Sequence, residues 1–153
     1  MKIKDIMTTD VRSCSPGTSL AEAGALMLDA DCGILPVVNE GKLVGIVTDR
    51  DMFIALATRN ARATQLRVSD VARKTVFTCG PDDDVHTALE TMKGHRVRRL
   101  PVAGFADSLI GIVSMNDLVL AAGTKKPVRN EDVVETFQEI CAHHHPAPHM
   151  AVA

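Results

Sequence analysis

Apolar and polar positions along this chain spell out helix, hairpin and helix, and then spell the same order again. Leu20, Ala23, Met27 and Leu28 share one face at helical spacing, and Ser19 with Glu22 forms a capping box ahead of them. Two runs rich in β-branched residues follow, Ile34 to Val38 and Leu43 to Thr48. Asn39-Glu40-Gly41 joins them, and Gly41 supplies hairpin geometry. A second helix is expected from Asp49 to about Ala57. Ahead of it all, Val11 to Cys14 reads as a short strand ending in the turn Ser15-Pro16-Gly17.

The second half carries the same signals. Val76 to Cys79 leads into Gly80-Pro81-Asp82, and Asp84 caps a stripe of Val85, Ala88, Leu89 and Met92. Strands are expected over Leu100 to Ala103 and Leu109 to Ser114, joined by a longer loop with Gly104 and Asp107, and a helix from Met115 to about Ala122. The halves also match residue by residue. Asp5, Cys14, Pro16, Ala23, Met27, Pro36 and Val37 recur 65 positions on as Asp70, Cys79, Pro81, Ala88, Met92, Pro101 and Val102. One residue then enters, and Leu43, Gly45, Ile46, Val47 and Asp51 recur 66 positions on as Leu109, Gly111, Ile112, Val113 and Asp117. The unit is β-α-β-β-α, present twice, and the fold class is α+β with two similar units sharing a core. The division is 1–60, 61–123 and a C-terminal extension 124–153. In the extension, Val133, Val134, Phe137, Ile140 and Cys141 mark an amphipathic helix over about 130–141. The tail after it, with His143-His144-His145, is expected to be disordered and lacks the spacing of a folded metal site.

Bulk properties narrow the function. The 153 residues are 46% hydrophobic and 24% charged, as in a soluble folded chain, and no apolar stretch approaches the roughly 20 residues that span a bilayer. Aromatics make up 3%, with no Trp or Tyr, so the core is aliphatic and no base-stacking platform for single-stranded nucleic acid is available. The formal charge of −2 gives no global basic field. Cys14, Cys32, Cys79 and Cys141 form no C-x-x-C pair, which with the lack of an apolar signal region suggests reduced thiols in the cytoplasm. No nucleophile–base pair and no G-x-x-x-x-G-K-[ST] loop is present, and His86 and His95 are lone histidines, so no catalytic residue is assigned.

Chemistry concentrates where the second hairpin strand enters the second helix: Gly45-Ile46-Val47-Thr48-Asp49-Arg50-Asp51, and its twin Gly111-Ile112-Val113-Ser114-Met115-Asn116-Asp117. Thr-x-x-Asp and Ser-x-x-Asp explain themselves as helix caps. The same groups also suit a nucleotide: a helix N-terminus for phosphate, a carboxylate for ribose hydroxyls, and a glycine permitting close approach of a ligand.

The doubled unit, the Leu-Pro-Val strands and the paired G-x-x-[TS]-x-x-D segments resemble a tandem pair of CBS domains, the Bateman module, from about Ile3 to Ala122. The resemblance implies pseudo-twofold packing of the repeats around two clefts that take adenosine-containing ligands. AMP, ADP or ATP come first, with NAD or S-adenosylmethionine as alternatives. By that analogy the first cleft uses Thr48, Asp49, Arg50 and Asp51 opposed by Lys74, Val76, Phe77, Val97, Arg98 and Arg99. The second uses Ser114, Met115, Asn116 and Asp117 opposed by Thr9, Val11, Cys32, Gly33 and Ile34. Arg98 and Arg99 then face one cleft while Gly33 and Ile34 face the other, so the first is expected to prefer phosphorylated ligands. The whole reads as a non-catalytic cytoplasmic sensor acting on an unknown regulated protein. A homodimer is expected through the helices bearing Met52, Phe53, Ile54, Leu56, Leu118, Val119 and Leu120. The alternatives are a nucleic-acid-binding module using 95–99 and a ligand-free interaction scaffold.

Overall fold

The computed structural model describes residues 1–124 and 128–142; the expected tail lies outside them. Repeat one contains α1 (Leu20–Asp29), β1 (Ile34–Asn39), β2 (Lys42–Thr48) and α2 (Asp49–Arg59). Repeat two contains α3 (Val85–His95), β3 (Arg99–Ala103), β4 (Leu109–Ser114) and α4 (Met115–Thr124), and α5 (Asn130–Cys141) follows. Local chemistry fixes the element starts. The Glu22 N–H donates to Ser19 Oγ at 3.2 Å and the Ser19 N–H to Glu22 Oε2 at 2.9 Å, closing the capping box of α1. Asp84 accepts the His86 N–H at 3.0 Å at the start of α3. Glu40 and Gly41 both have positive φ (50° and 79°), the twist a two-residue antiparallel hairpin requires.

The first expected strand of each repeat shrinks to one parallel bridge, Cys14 beside Val37 and Cys79 beside Val102. Prolines explain this on both sides. The Cys14 N–H donates to Pro36 O and the Val38 N–H to Cys14 O. Extending that ladder would need an N–H from Pro36 in one direction and Pro16 in the other, and neither has one. Pro101 and Pro81 stop the twin bridge in the same way.

The repeats exchange their opening segments. Short 3-10 turns at Ile3–Asp5 and Val68–Asp70 bury Ile3 and Val68 completely. Ile3 packs with Val85, Leu89, Met92 and Leu100 of repeat two, and Val68 with Leu20, Leu35 and Val47 of repeat one. The chain then lies along the other repeat's sheet: Thr8 pairs with Ile112, and its twin Arg73 with Ile46. This crossing corrects the reading of the upstream glycines. A Cβ on Gly45 would stand 3.0 Å from Arg73 O, and one on Gly111 2.7 Å from Met7 Sδ and 3.0 Å from Thr8 O. These glycines admit the crossing chain, not a ligand.

Both cores are aliphatic, and α5 completes the second. Val133 and Thr136 are buried there, with Phe137 and Ile140 packed against the same cluster. Outside this apolar contact, Lys93 Nζ donates to Glu135 Oε1 at 2.6 Å and His86 Nε2 lies 3.4 Å from Asp132 Oδ2.

Candidate functional site

β2 delivers Thr48 to the start of α2, and the hairpin pairs Thr48 with Ile34 on β1. The crossing segment Arg73 to Phe77 runs alongside, and the end of α3 supplies Arg96 to Arg99. Between them lies an open cavity of about 480 Å³, within the ~300–1,000 Å³ typical of small-molecule sites. Thr48, Asp49, Arg50, Val76, Phe77, Val97, Arg98 and Arg99 line it, as expected for the first cleft. Ile46, Arg73, Thr75, Arg96 and Ile140 line it as well, and none of these was assigned to the cleft from the sequence.

Several assigned residues fall elsewhere. Gly33 and Ile34, expected in the second cleft, line this first one, because β1 carries them beside Thr48. The contrast of Arg98 and Arg99 in one cleft with Gly33 and Ile34 in the other therefore does not hold. Arg99 is also the hairpin partner of Ser114, so the basic segment borders the start of α4 too. Cys32 lines a different hollow, between α1 and α2, with Met27, Met52, Phe53 and Leu56. Lys74 points away from the cavity and lines a hollow with Val44 and Gly45. Successive residues of an extended segment face opposite sides, so Arg73 takes the inward place.

Around the second expected cleft, Thr9 and Val11 follow the bridge of Thr8 to β4 and are exposed and half-buried. Asn116 is exposed, and the Ser114 hydroxyl donates to Asp117 Oδ2 at 2.6 Å. Met115 is 1% exposed inside the second core, with its N–H donated to Arg98 O, and lines no cleft. The helix period turns this first residue of α4 inward.

Asp51 is the residue whose setting differs most from expectation. It is absent from the cavity wall and borders a hollow with Ile54, Thr58 and Arg59. Its carboxylate accepts from Thr48 Oγ1 at 2.8 Å and from Arg73 Nη2 and Nε at 2.7 and 3.2 Å. Burial pushes its pKa up, but Arg73 and Thr48 outweigh burial and hold the carboxyl below its ordinary value. The first N–H groups of α2 are also engaged: Asp49 donates to Gly33 O, Arg50 to the Asp49 carboxylate, and Asp51 to Thr48 Oγ1. The helix start is thus not an open phosphate nest. Attraction for an anion comes instead from the guanidinium groups of Arg50, Arg96, Arg98 and Arg99, with Arg73 on the wall already paired to Asp51; among the described residues, Asp49 is the one carboxylate lining the cavity. Ile34, Ile46, Val76 and Phe77 give the cavity an apolar part, and Phe77 is stacked on His95 with ring centroids 3.6 Å apart.

Two interlocked α+β repeats enclose a basic and apolar cleft. The chain belongs to the CBS-domain family, whose model matches residues 3–58 and again 68–123. It is 36% identical over 118 residues to the CBS domain-containing protein YhcV of Bacillus subtilis (strain 168), covering 77% of this chain and 83% of that one. Among solved structures, the CBS domain pair of protein MJ0100 superposes with a TM-score of 0.74 at 28% identity, covering 82% of this chain and 98% of that one. It was crystallised in complex with 5′-methylthioadenosine and S-adenosyl-L-methionine. CBSX2 in complex with AMP superposes with a TM-score of 0.68 at 26% identity, covering 79% and 95%.

Proposed function

We propose that this protein is a non-catalytic regulatory module that binds an adenosine-containing nucleotide, AMP foremost, in the cleft between its repeats. ADP, ATP, NAD and S-adenosylmethionine are the other candidates. The observation that carries the reading is the composition of the cleft: five arginines, Arg50, Arg73, Arg96, Arg98 and Arg99, around an apolar part of Ile34, Ile46, Val76 and Phe77. A phosphate suits the guanidinium forks and a purine suits the apolar part. The AMP held by CBSX2 and the adenosyl ligands held by MJ0100 support the same ligand class. Thr48 and Arg73 are the ribose-side candidates, with Asp51 positioning both. Ser114, Asn116 and Asp117 with Thr9 and Val11 form the second candidate site.

The proposed working form is a cytoplasmic homodimer acting on a partner protein. Phe53, Ile54 and Val119 leave apolar surface on the outer faces of α2 and α4, which suits a closed twofold contact. A ligand acts on that partner only by favouring one packing of the module over another.

A thermal-shift panel of AMP, ADP, ATP, NAD and S-adenosylmethionine tests the ligand class. A hundredfold excess over Kd stabilises by ~2.7 kcal/mol, or roughly 5–11 °C for a chain of this size. No shift with any of the five would turn the reading to a ligand-free scaffold.

A further inference from the structure

Ile140 belongs to α5, which lies outside both family-matched segments, yet it lines the cleft beside Phe77 and Arg98. One residue on, Cys141 Sγ stands 3.8 Å from Arg98 Nη2. The rest of α5 is fastened to α3. Glu135 pairs with Lys93, Asp132 faces His86, and Val133 and Thr136 are buried. The chain leaves α3 directly into Arg96 to Arg99, the basic wall of the cleft. One helix therefore carries the anchors of α5 and leads directly into the cations expected to meet phosphate.

We propose that α5 is a wall of the nucleotide site, with Ile140 against the bound ligand, so that nucleotide binding and α5 docking strengthen each other. This rests on the nucleotide reading of the cleft. Sulfur is a weak acceptor, so Arg98 passes from Cys141 to a phosphate at little cost while Ile140 keeps its place. Linkage makes the effect reciprocal: a ligand that touches docked α5 holds it down, and loosening α5 weakens the ligand. α5 thereby becomes the element through which an occupied cleft is reported at the surface.

The test uses the full chain, AMP as the probe, calorimetry for affinity and amide hydrogen exchange for α5. In the parent, AMP slows exchange at Val76 and Phe77 and also at Ile140 and Cys141. Glu135→Lys sets like charges together at Lys93, and Val133→Asp places a carboxylate in the buried seam; neither residue lines the cleft. Each speeds exchange across 130–141 and weakens AMP at least about fivefold, the lower end of ordinary coupling between sites. The swapped pair Lys93→Glu with Glu135→Lys restores both. Unchanged AMP affinity in a variant whose α5 exchanges faster overturns the proposal. So does AMP protection of Val76 and Phe77 without protection of Ile140 and Cys141. If AMP protects no part of the cleft, the nucleotide reading itself fails and the proposal falls with it.

Discussion

Replacing Asp51 with Asn removes a charge and little volume, and the twin Asp117→Asn serves as an internal control. Both carboxylates sit in the first turn of a helix and accept from the hydroxyl that caps it. Losing the charge at a helix N-terminus costs each about 0.3–1 kcal/mol. Asp51 alone also pairs with Arg73; among the described residues Asp117 has no ion pair. The Asp51 side chain is 13% exposed and that of Arg73 64%, so solvent screens the pair, which contributes about 0.2–1 kcal/mol. The expected losses at pH 7 are therefore about 0.5–2 kcal/mol for Asp51→Asn and about 0.3–1 for Asp117→Asn. In melting temperature each kcal/mol corresponds to roughly 2–4 °C. The pH dependence has a definite sign. Asp51 is held below its ordinary pKa, so the folded state binds fewer protons and its contribution is complete above the unfolded value of about 4. It is lost as pH falls through the lowered value. Thermal denaturation of parent and variants from pH 7 to pH 3 should show the Asp51→Asn penalty shrinking below about pH 4. Raising salt to 1 M, where the Debye length is about 3 Å, should shrink the excess of Asp51 over Asp117. An excess penalty that survives both low pH and high salt would refute the ion-pair account.

Other outcomes follow from the same geometry. Gly111→Ala should destabilise by about 1–3 kcal/mol in urea unfolding, because a Cβ there meets Met7 and the backbone of Thr8. Gly33→Ala should cost less, since the atoms nearest its Cβ belong to the Asp49 carboxylate, an exposed side-chain end that can move. A thiol reagent at pH 8 should label Cys141 in the folded protein and spare Cys14 and Cys79 until unfolding. Burial pushes both thiols up to about 11, with Asp83 adding to the effect at Cys79. Those raised values also make stability fall as pH climbs from about 9 to 11, because the unfolded chain ionises first.

Sequence pattern carried most of the local structure and little of the exchange between repeats. The capping box at Ser19, the cap at Asp84, the Gly41 hairpin and the span of α5 were legible because each depends on neighbours within a few residues. The burial of Ile3 in repeat two and Val68 in repeat one was not, because nothing local to either residue specifies a partner so far along the chain. That crossing decides the site. It puts Arg73, not Lys74, on the cavity wall, fills the space beside Gly45 with backbone, and ties up the Asp51 carboxylate. The family resemblance located the basic wall at Arg98 and Arg99. It assigned Gly33 and Ile34 to the wrong cleft because hairpin pairing with Thr48 outweighs the pseudo-symmetric analogy. Ile140 carried no signal beyond its place on an amphipathic face, since its access to the cleft arises from how α5 lies on α3.

On the proposed reading, the arginine wall of the cleft meets the phosphate of an adenine nucleotide. Calorimetric titration of AMP and of adenosine into the parent and into the Arg98→Ala/Arg99→Ala double variant tests it most directly. Hydrogen bonds to a charged group contribute roughly 1.5–3 kcal/mol each, so AMP should weaken by about tenfold or more while adenosine changes little. Equal losses for AMP and adenosine, or none for either, would contradict the assignment of the phosphate to these arginines.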